Sequence, residues 1–74
     1  MIKRYTVRLS GDVTSISLEP EFHKILKDVA DHRAISMNRL IEEIAIGPID
    51  ATNLSSKIRL FVLQHLMRKL PSAG

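Results

Sequence analysis

The stretch Thr14-Ser15-Ile16-Ser17-Leu18 decides how the rest of the 74-residue chain is read. Its side chains alternate, so Thr14, Ile16 and Leu18 fall on one face, while Ser15 and Ser17 join the preceding Val13 on the other. One face can be buried while the opposite one stays small and hydroxyl-rich. A solvated strand face usually carries charge that discourages pairing, whereas short hydroxyls let another surface come close. A strand also needs a ladder for its backbone N–H and C=O groups. No later segment reads as a second strand, so the expected partner is the same strand from a second copy of the chain.

The segment before it leaves an alternative. Tyr5, Val7 and Leu9 alternate with Thr6 and Arg8, again with the period of a strand, and Ser10-Gly11-Asp12 reads as a turn. Two outcomes stay open: residues 1–12 fold back as a hairpin with Val13 to Leu18, or they form an extended basic arm.

Downstream, Leu18-Glu19-Pro20-Glu21 starts a helix. Pro20 fits the first turn, where its missing N–H is no loss, and Glu19 and Glu21 suit the positive end of the dipole. Phe22, Ile25, Leu26, Val29 and Ala30 recur at offsets of three and four, to about His32, with Lys24, Lys27, Asp28 and Asp31 on the other face. Plain amphipathic packing accounts for this helix. Arg33-Ala34-Ile35 is a short joint, and Ser36 is expected to cap a second helix by accepting the N–H of Asn38 or Arg39. That helix runs from Met37 to about Ile46 on a stripe of Met37, Leu40, Ile41, Ile44 and Ala45. Gly47-Pro48 ends it, Ile49 to Thr52 connect, and Asn53 can cap a third helix from about Leu54 to Lys69, which Pro71 stops. The third helix is apolar on two sides, Ile58, Phe61, Val62 and Leu66 on one and Leu60, Leu63, Met67 and Leu70 on the other. So small a monomer hardly buries both, which again points to a second copy, with this helix crossing to the partner or closing over a shared core.

At this length the chain is one domain, and a single core buries only about 60% of the surface that the unfolded chain exposes, so dimerisation would add needed stability. The chain has no cysteine, which excludes disulfides and thiolate metal sites and suits an intracellular setting. No apolar run approaches the roughly 20 residues that cross a bilayer, and the N-terminus lacks the apolar core of a secretory signal. A cytoplasmic protein without a membrane partner is expected. The net charge of +3 is unevenly placed. Lys3, Arg4 and Arg8 open the chain with no acid among them, and Lys57, Arg59, Arg68 and Lys69 lie near its other end. Basic ends suit a polyanion, although a charge run is more often a solvated face.

Catalytic and metal chemistry have little to stand on. His23, His32 and His65 include no pair at i, i+4 that would set two ligands on one helical face. His23 and His32 read as surface residues, and His65 reaches the core edge of the third helix. Glu42 and Glu43 are helix neighbours and point apart. Ser10, Ser36, Ser55 and Ser56 have turn and cap explanations, and no Gly-rich phosphate loop precedes a helix. An enclosed pocket of a few hundred Å³ also needs more chain than this. No enzyme, cofactor or metal site is expected.

Strand, helix, Ser-capped joint and helix, in this order and at these lengths, resemble the ribbon-helix-helix superfamily of MetJ, Arc and CopG-type regulators, over Val13 to Ile46. The tracts Thr14 to Phe22 (Thr-Ser-Ile-Ser-Leu-Glu-Pro-Glu-Phe), Ile35 to Ile41 and Asn53 to Leu63 are more specifically similar to a bacterial family of small ribbon-helix-helix proteins with an extra C-terminal helix. The implied fold is mainly α with a short β-strand, with residues 1–12 as a basic arm or extra strand, 13–46 as the ribbon-helix-helix core and 47–74 as loop and C-terminal helix. The resemblance implies an intertwined homodimer with an intermolecular antiparallel two-stranded ribbon. Its shared core would include Ile16, Leu18, Phe22, Leu26, Val29, Leu40, Ile41, Ile44 and Phe61.

The resemblance further implies that the ribbon enters the major groove of double-stranded DNA, with Val13, Ser15 and Ser17 facing the bases. Serine pairs with several base edges and Val13 can touch a thymine methyl, so this ribbon reads sequence less sharply than one bearing Arg, Asn or Gln. Lys3, Arg4 and Arg8 could compensate from the arm, on phosphates or in an adjacent groove. A second implied contact is a phosphate at the N-terminus of the second helix, on Ser36, Met37 and Asn38, with Arg39 nearby. The expected function is a nucleoid-associated transcriptional regulator, a repressor that occupies an operator. Two alternatives remain. An antitoxin would also neutralise a protein toxin through its C-terminal part, but such tails are usually disordered until bound, whereas Asn53 to Leu70 reads as a formed helix. A helical adaptor without DNA binding would present the third helix to a protein partner. The same helix could join dimers into tetramers.

Overall fold

Ser10 and Gly11 both take left-handed backbone angles, φ 51° and 85°, and this two-residue turn, positive at both positions as in type I′, folds the N-terminal segment back on the strand that follows. The result is an antiparallel hairpin of β1 (Lys3–Leu9) and β2 (Asp12–Leu18). The register sets Arg4 opposite Ser17, Thr6 opposite Ser15, Arg8 opposite Val13 and Leu9 opposite Asp12. The computed structural model describes residues 1–47, 49 and 53–69. Of the two outcomes left open for the N-terminal segment, the hairpin is the one adopted. The strand expected to need a second copy thus has one edge of its ladder filled by its own chain.

Three helices follow, α1 (Pro20–Arg33), α2 (Met37–Ile46) and α3 (Leu54–Lys69). Pro20 opens α1, and the Glu19 carbonyl accepts the N–H groups of Phe22 and His23 at 3.0 and 3.2 Å. The helix ends where Ala34 turns left-handed (φ 58°), with the Ala34 N–H donating to the Asp31 carbonyl and the Ile35 N–H to that of Ala30. This Schellman closure satisfies carbonyls that a helix end otherwise leaves orphaned. Ser36 caps α2 by accepting the Arg39 N–H at 3.1 Å, and Asn53 caps α3 by accepting the Ser56 N–H at 2.9 Å. The expected connection over Ile49 to Thr52 lies almost wholly outside the described residues, as do the Pro48 break, Leu70, the Pro71 stop and the tail.

The core is a single cluster in which every element takes part. Val7, Ile16 and Leu18 from the hairpin meet Leu26, Val29 and Ala30 of α1, Leu40, Ile41 and Ile44 of α2, and Ile58 and Val62 of α3. Phe22 and Phe61 pack against it half-buried. The residues expected in a shared dimer core therefore already pack together within one chain. Each large side chain so buried is worth about 1.5–3 kcal/mol. On α3 one chain covers only one of the two apolar sides. Ile58 and Val62 are buried, whereas Leu60, Leu63, Met67 and also Leu66, which shares a side with Ile58 and Val62 by its spacing, are exposed.

Polar and aromatic contacts tie the layers together. Lys57 Nζ donates to the Ala45 carbonyl at 2.8 Å, which links the start of α3 to the end of α2. Arg59 donates to Glu19 Oε1 at 2.9 Å and lies 6.0 Å from the centre of the Phe22 ring. The Glu19 carboxyl is held below the ordinary carboxylate range, first by its own backbone N–H and then by Arg59. Two members of the C-terminal basic set thus have structural partners. Tyr5 stacks on His23 with ring centres 4.0 Å apart and planes 7° from parallel, joining β1 to α1. Partial burial and then Lys27 push the His23 imidazole below its usual value, which favours the neutral form of the stacked ring. His23 is therefore more than the plain surface residue expected.

Candidate nucleic-acid interface

The pleat of the hairpin sends alternate side chains to opposite faces, and the turn fixes which chain positions share a face. Toward the helices point Tyr5, Val7, Thr14, Ile16 and Leu18, all buried or half-buried. Away from them point Arg4, Thr6 and Arg8 of β1 beside Ser17, Ser15 and Val13 of β2, all exposed. The outward face therefore holds two guanidiniums, three hydroxyls and one valine, with no acid. Val13 keeps 63% of its surface in solvent, so this apolar side chain serves no core. Arg4 and Arg8, in the segment read as either a basic arm or an extra strand, stand beside the three small residues of β2. Lys3 belongs to the other parity, opposite Leu18 at the open end of the hairpin.

The second expected contact region is anchored to this face by Asn38. Its Oδ1 accepts the Arg8 N–H at 2.7 Å, and its Nδ2 donates to the Arg8 carbonyl at 2.7 Å and to Glu42 Oε1 at 3.1 Å. The side chain is thus spent on the strand, 30 residues away in sequence, a contact that no local pattern announces. The N-terminus of α2 is thereby held beside Arg8. Its Ser36 hydroxyl serves the Arg39 N–H, and the Ser36 carbonyl serves the Leu40 N–H. Among the described residues no hydrogen bond takes up the N–H groups of Met37 and Asn38. Two free donors at the positive end of a helix are suited to an anion. Arg39, 3.8 Å from Glu43 across one turn, remains largely exposed.

The backbone edges of the hairpin follow from the same bonds. Both polar groups of Arg8 point to Asn38, so they point away from β2, and Arg8 with Val13 is a non-hydrogen-bonded pair. By alternation Thr6 with Ser15 and Arg4 with Ser17 are too. The N–H and C=O groups of Val13, Ser15 and Ser17 therefore line the outer edge of β2, where no partner stands among the described residues.

A groove of about 310 Å³ lies elsewhere, between α1 and α3, lined by Ile25, Asp28, Val29, His32, Arg33, His65, Leu66 and Lys69. It opens to solvent. His65 is pushed below its usual value by partial burial and then by the basic side chains of Lys69, Arg33, Arg68 and His32. These basic residues occupy the last turns of α1 and α3, where positive charge offsets the helix dipole. Among the described residues no group of three His, Asp or Glu side chains could hold a metal ion.

The model of a family described as a ribbon-helix-helix domain matches residues 1–66. No curated protein and no solved structure matches the chain. Among the described residues no helix is long and apolar enough to cross a membrane.

Proposed function

We propose, from the premise that this chain belongs to the ribbon-helix-helix domain family, that it is a dimeric, sequence-reading DNA-binding protein that acts as a cytoplasmic, nucleoid-associated transcriptional repressor. Domains of this family commonly bind DNA and are not enzymes. The observation that carries the reading is the outward hairpin face, where Val13, Ser15 and Ser17 stand beside Arg4 and Arg8 with no acid.

Pairing of two copies through the open β2 edges gives a four-stranded sheet in the order β1-β2-β2-β1. Its two central strands fit a major groove about 12 Å wide. The two β1 strands then lie three strand spacings, or about 14 Å, apart. That separation sets Arg4 and Arg8 over the groove walls, on phosphates, while the serines and Val13 meet base edges. The free N–H groups of Met37 and Asn38, beside Arg8, take a further phosphate on each side, with Arg39 close by. Lys3 contributes only general charge from the hairpin's open end. Small hydroxyls accept several bases, so the sequence preference is broad.

The test is a mobility-shift titration of Ser15→Glu/Ser17→Glu, with the solution mass measured in parallel. Binding should weaken by roughly 100-fold or more, since each lost base contact is worth ~1–3 kcal/mol. Unaltered binding would sink the ribbon assignment. The exposed Leu60, Leu63 and Met67 on α3 favour a second reading, in which α3 also engages a protein, either a toxin or a second dimer. Retention of DNA binding in Leu63→Ser/Met67→Ser together with loss of a larger assembly would support it.

A further inference from the structure

The two edges of the hairpin are not equivalent. On the outer edge of β1, Arg8 is already occupied at both polar groups by the Asn38 amide. That amide offers one acceptor and one donor at strand geometry, so it stands where a neighbouring strand would stand. Pairing β1 with a second β1 centred on Thr6 would also set Arg4 opposite Arg8, and like charges directly opposite are unfavourable. On the outer edge of β2, the polar groups of Val13, Ser15 and Ser17 are open and their side chains are neutral. Pairing of β2 with a second β2 centred on Ser15 sets Val13 opposite Ser17 and completes the ladder across the whole strand.

We infer that Asn38 is a positioning residue that seals the β1 edge of the hairpin, so that a second copy of the chain can add only at β2, in the register centred on Ser15. The inference rests on the dimeric reading above and adds to it the residue that excludes the other edge and the register of the pairing. It also assigns the Asn38 side chain to the protein's own strand, leaving only its backbone N–H for a phosphate. An unsealed β1 edge would let each chain pair on both sides, and open-ended association would follow.

The absence of cysteine makes the test direct, because each introduced thiol is the chain's sole one. Ser15→Cys and Thr6→Cys are treated with the shortest bis-thiosulfonate reagent, in the parent and in Asn38→Leu and Asn38→Asp backgrounds. In the β2-paired dimer the two Ser15 positions are about 5.5 Å apart between Cα atoms, whereas the two Thr6 positions are separated by about 14 Å. Covalent dimer is expected from Ser15→Cys and not from Thr6→Cys. In Asn38→Leu the cross-linked fraction of Thr6→Cys should rise at least tenfold, with species larger than a dimer in light scattering. Asn38→Asp keeps the acceptor for the Arg8 N–H and suits the start of a helix, so it folds and gives an intermediate rise. The inference is overturned if the parent is a dimer whose Thr6→Cys cross-links as readily as Ser15→Cys. It is equally overturned if neither Asn38 variant changes Thr6→Cys cross-linking while circular dichroism keeps its wild-type form. A monomeric mass with neither thiol reacting overturns the dimer itself, and this inference with it.

Discussion

The hairpin and α3 each turn one side to the core and one side away, and what they turn away is opposite in kind. The hairpin presents Arg4, Arg8 and short hydroxyls, while α3 presents Leu60, Leu63 and Met67, the last two 51% and 62% exposed. Inward the two are alike, each giving fully buried aliphatic side chains, Leu18 from one and Ile58 and Val62 from the other. The contrast separates two jobs that a small chain must do with few residues. A charged, small-residue face is suited to a hydrated polyanion, as proposed above, and an apolar face calls for cover that the single chain does not supply.

Breaking the shared inward side has the largest effect. Ile58→Ala should lower unfolding free energy by about 2–5 kcal/mol in chemical denaturation, whereas Leu63→Ser on the same helix should stay within about 0.5 kcal/mol for the isolated chain. Equal losses would mean that α3 packs by a different side. The outward face of the hairpin is sharpened next, through salt. In the proposed dimer Arg4→Ala/Arg8→Ala would remove four phosphate contacts, so the slope of log K against log salt should shrink by roughly 3 to 4, with thermal stability little changed. An unchanged slope would detach β1 from the DNA surface.

The smallest effect concerns the seam between the two regions, where Arg59 of α3 meets Glu19 at the end of the hairpin. The Glu19 carboxyl is lowered in the folded chain, so its contribution is complete above its unfolded value of about 4.3 and is lost as pH falls through the lowered folded value. On acidification from pH 7 to pH 3, the melting midpoint of the wild type should therefore fall further than that of Arg59→Gln. Parallel falls would mean that the pair contributes nothing.

The helices were legible because their cause is local. Periodic apolar stripes, Pro20 at a first turn and Ser36 and Asn53 as caps fixed their positions to within a residue or so. The two faces of β2 were legible for the same reason. The hairpin was less so, because its turn carries Ser10 where a type I′ turn favours Asn or Gly, and the signal is correspondingly weak. The contacts that organise the site lie further from any local rule. Asn38 reaches Arg8 across 30 residues and Arg59 reaches Glu19 across 40. From sequence, Arg8 reads as one cation of a basic segment, Asn38 enters only through the resemblance as part of a helix N-terminus that takes a phosphate, and Arg59 reads as one charge among several. Pairing of distant polar groups depends on how elements pack, which periodicity does not encode.

The stack of Tyr5 on His23 has a practical consequence. The chain contains one tyrosine and no tryptophan, so its near-ultraviolet emission comes from a ring lodged between β1 and α1. A neutral imidazole 4.0 Å away and a protonated one differ as quenchers, and the protonated form appears on acidification below the free histidine value of about 6.5. The intensity and lifetime of that emission thus form a built-in optical gauge of whether the hairpin is docked, readable without any label while DNA or a second chain is added.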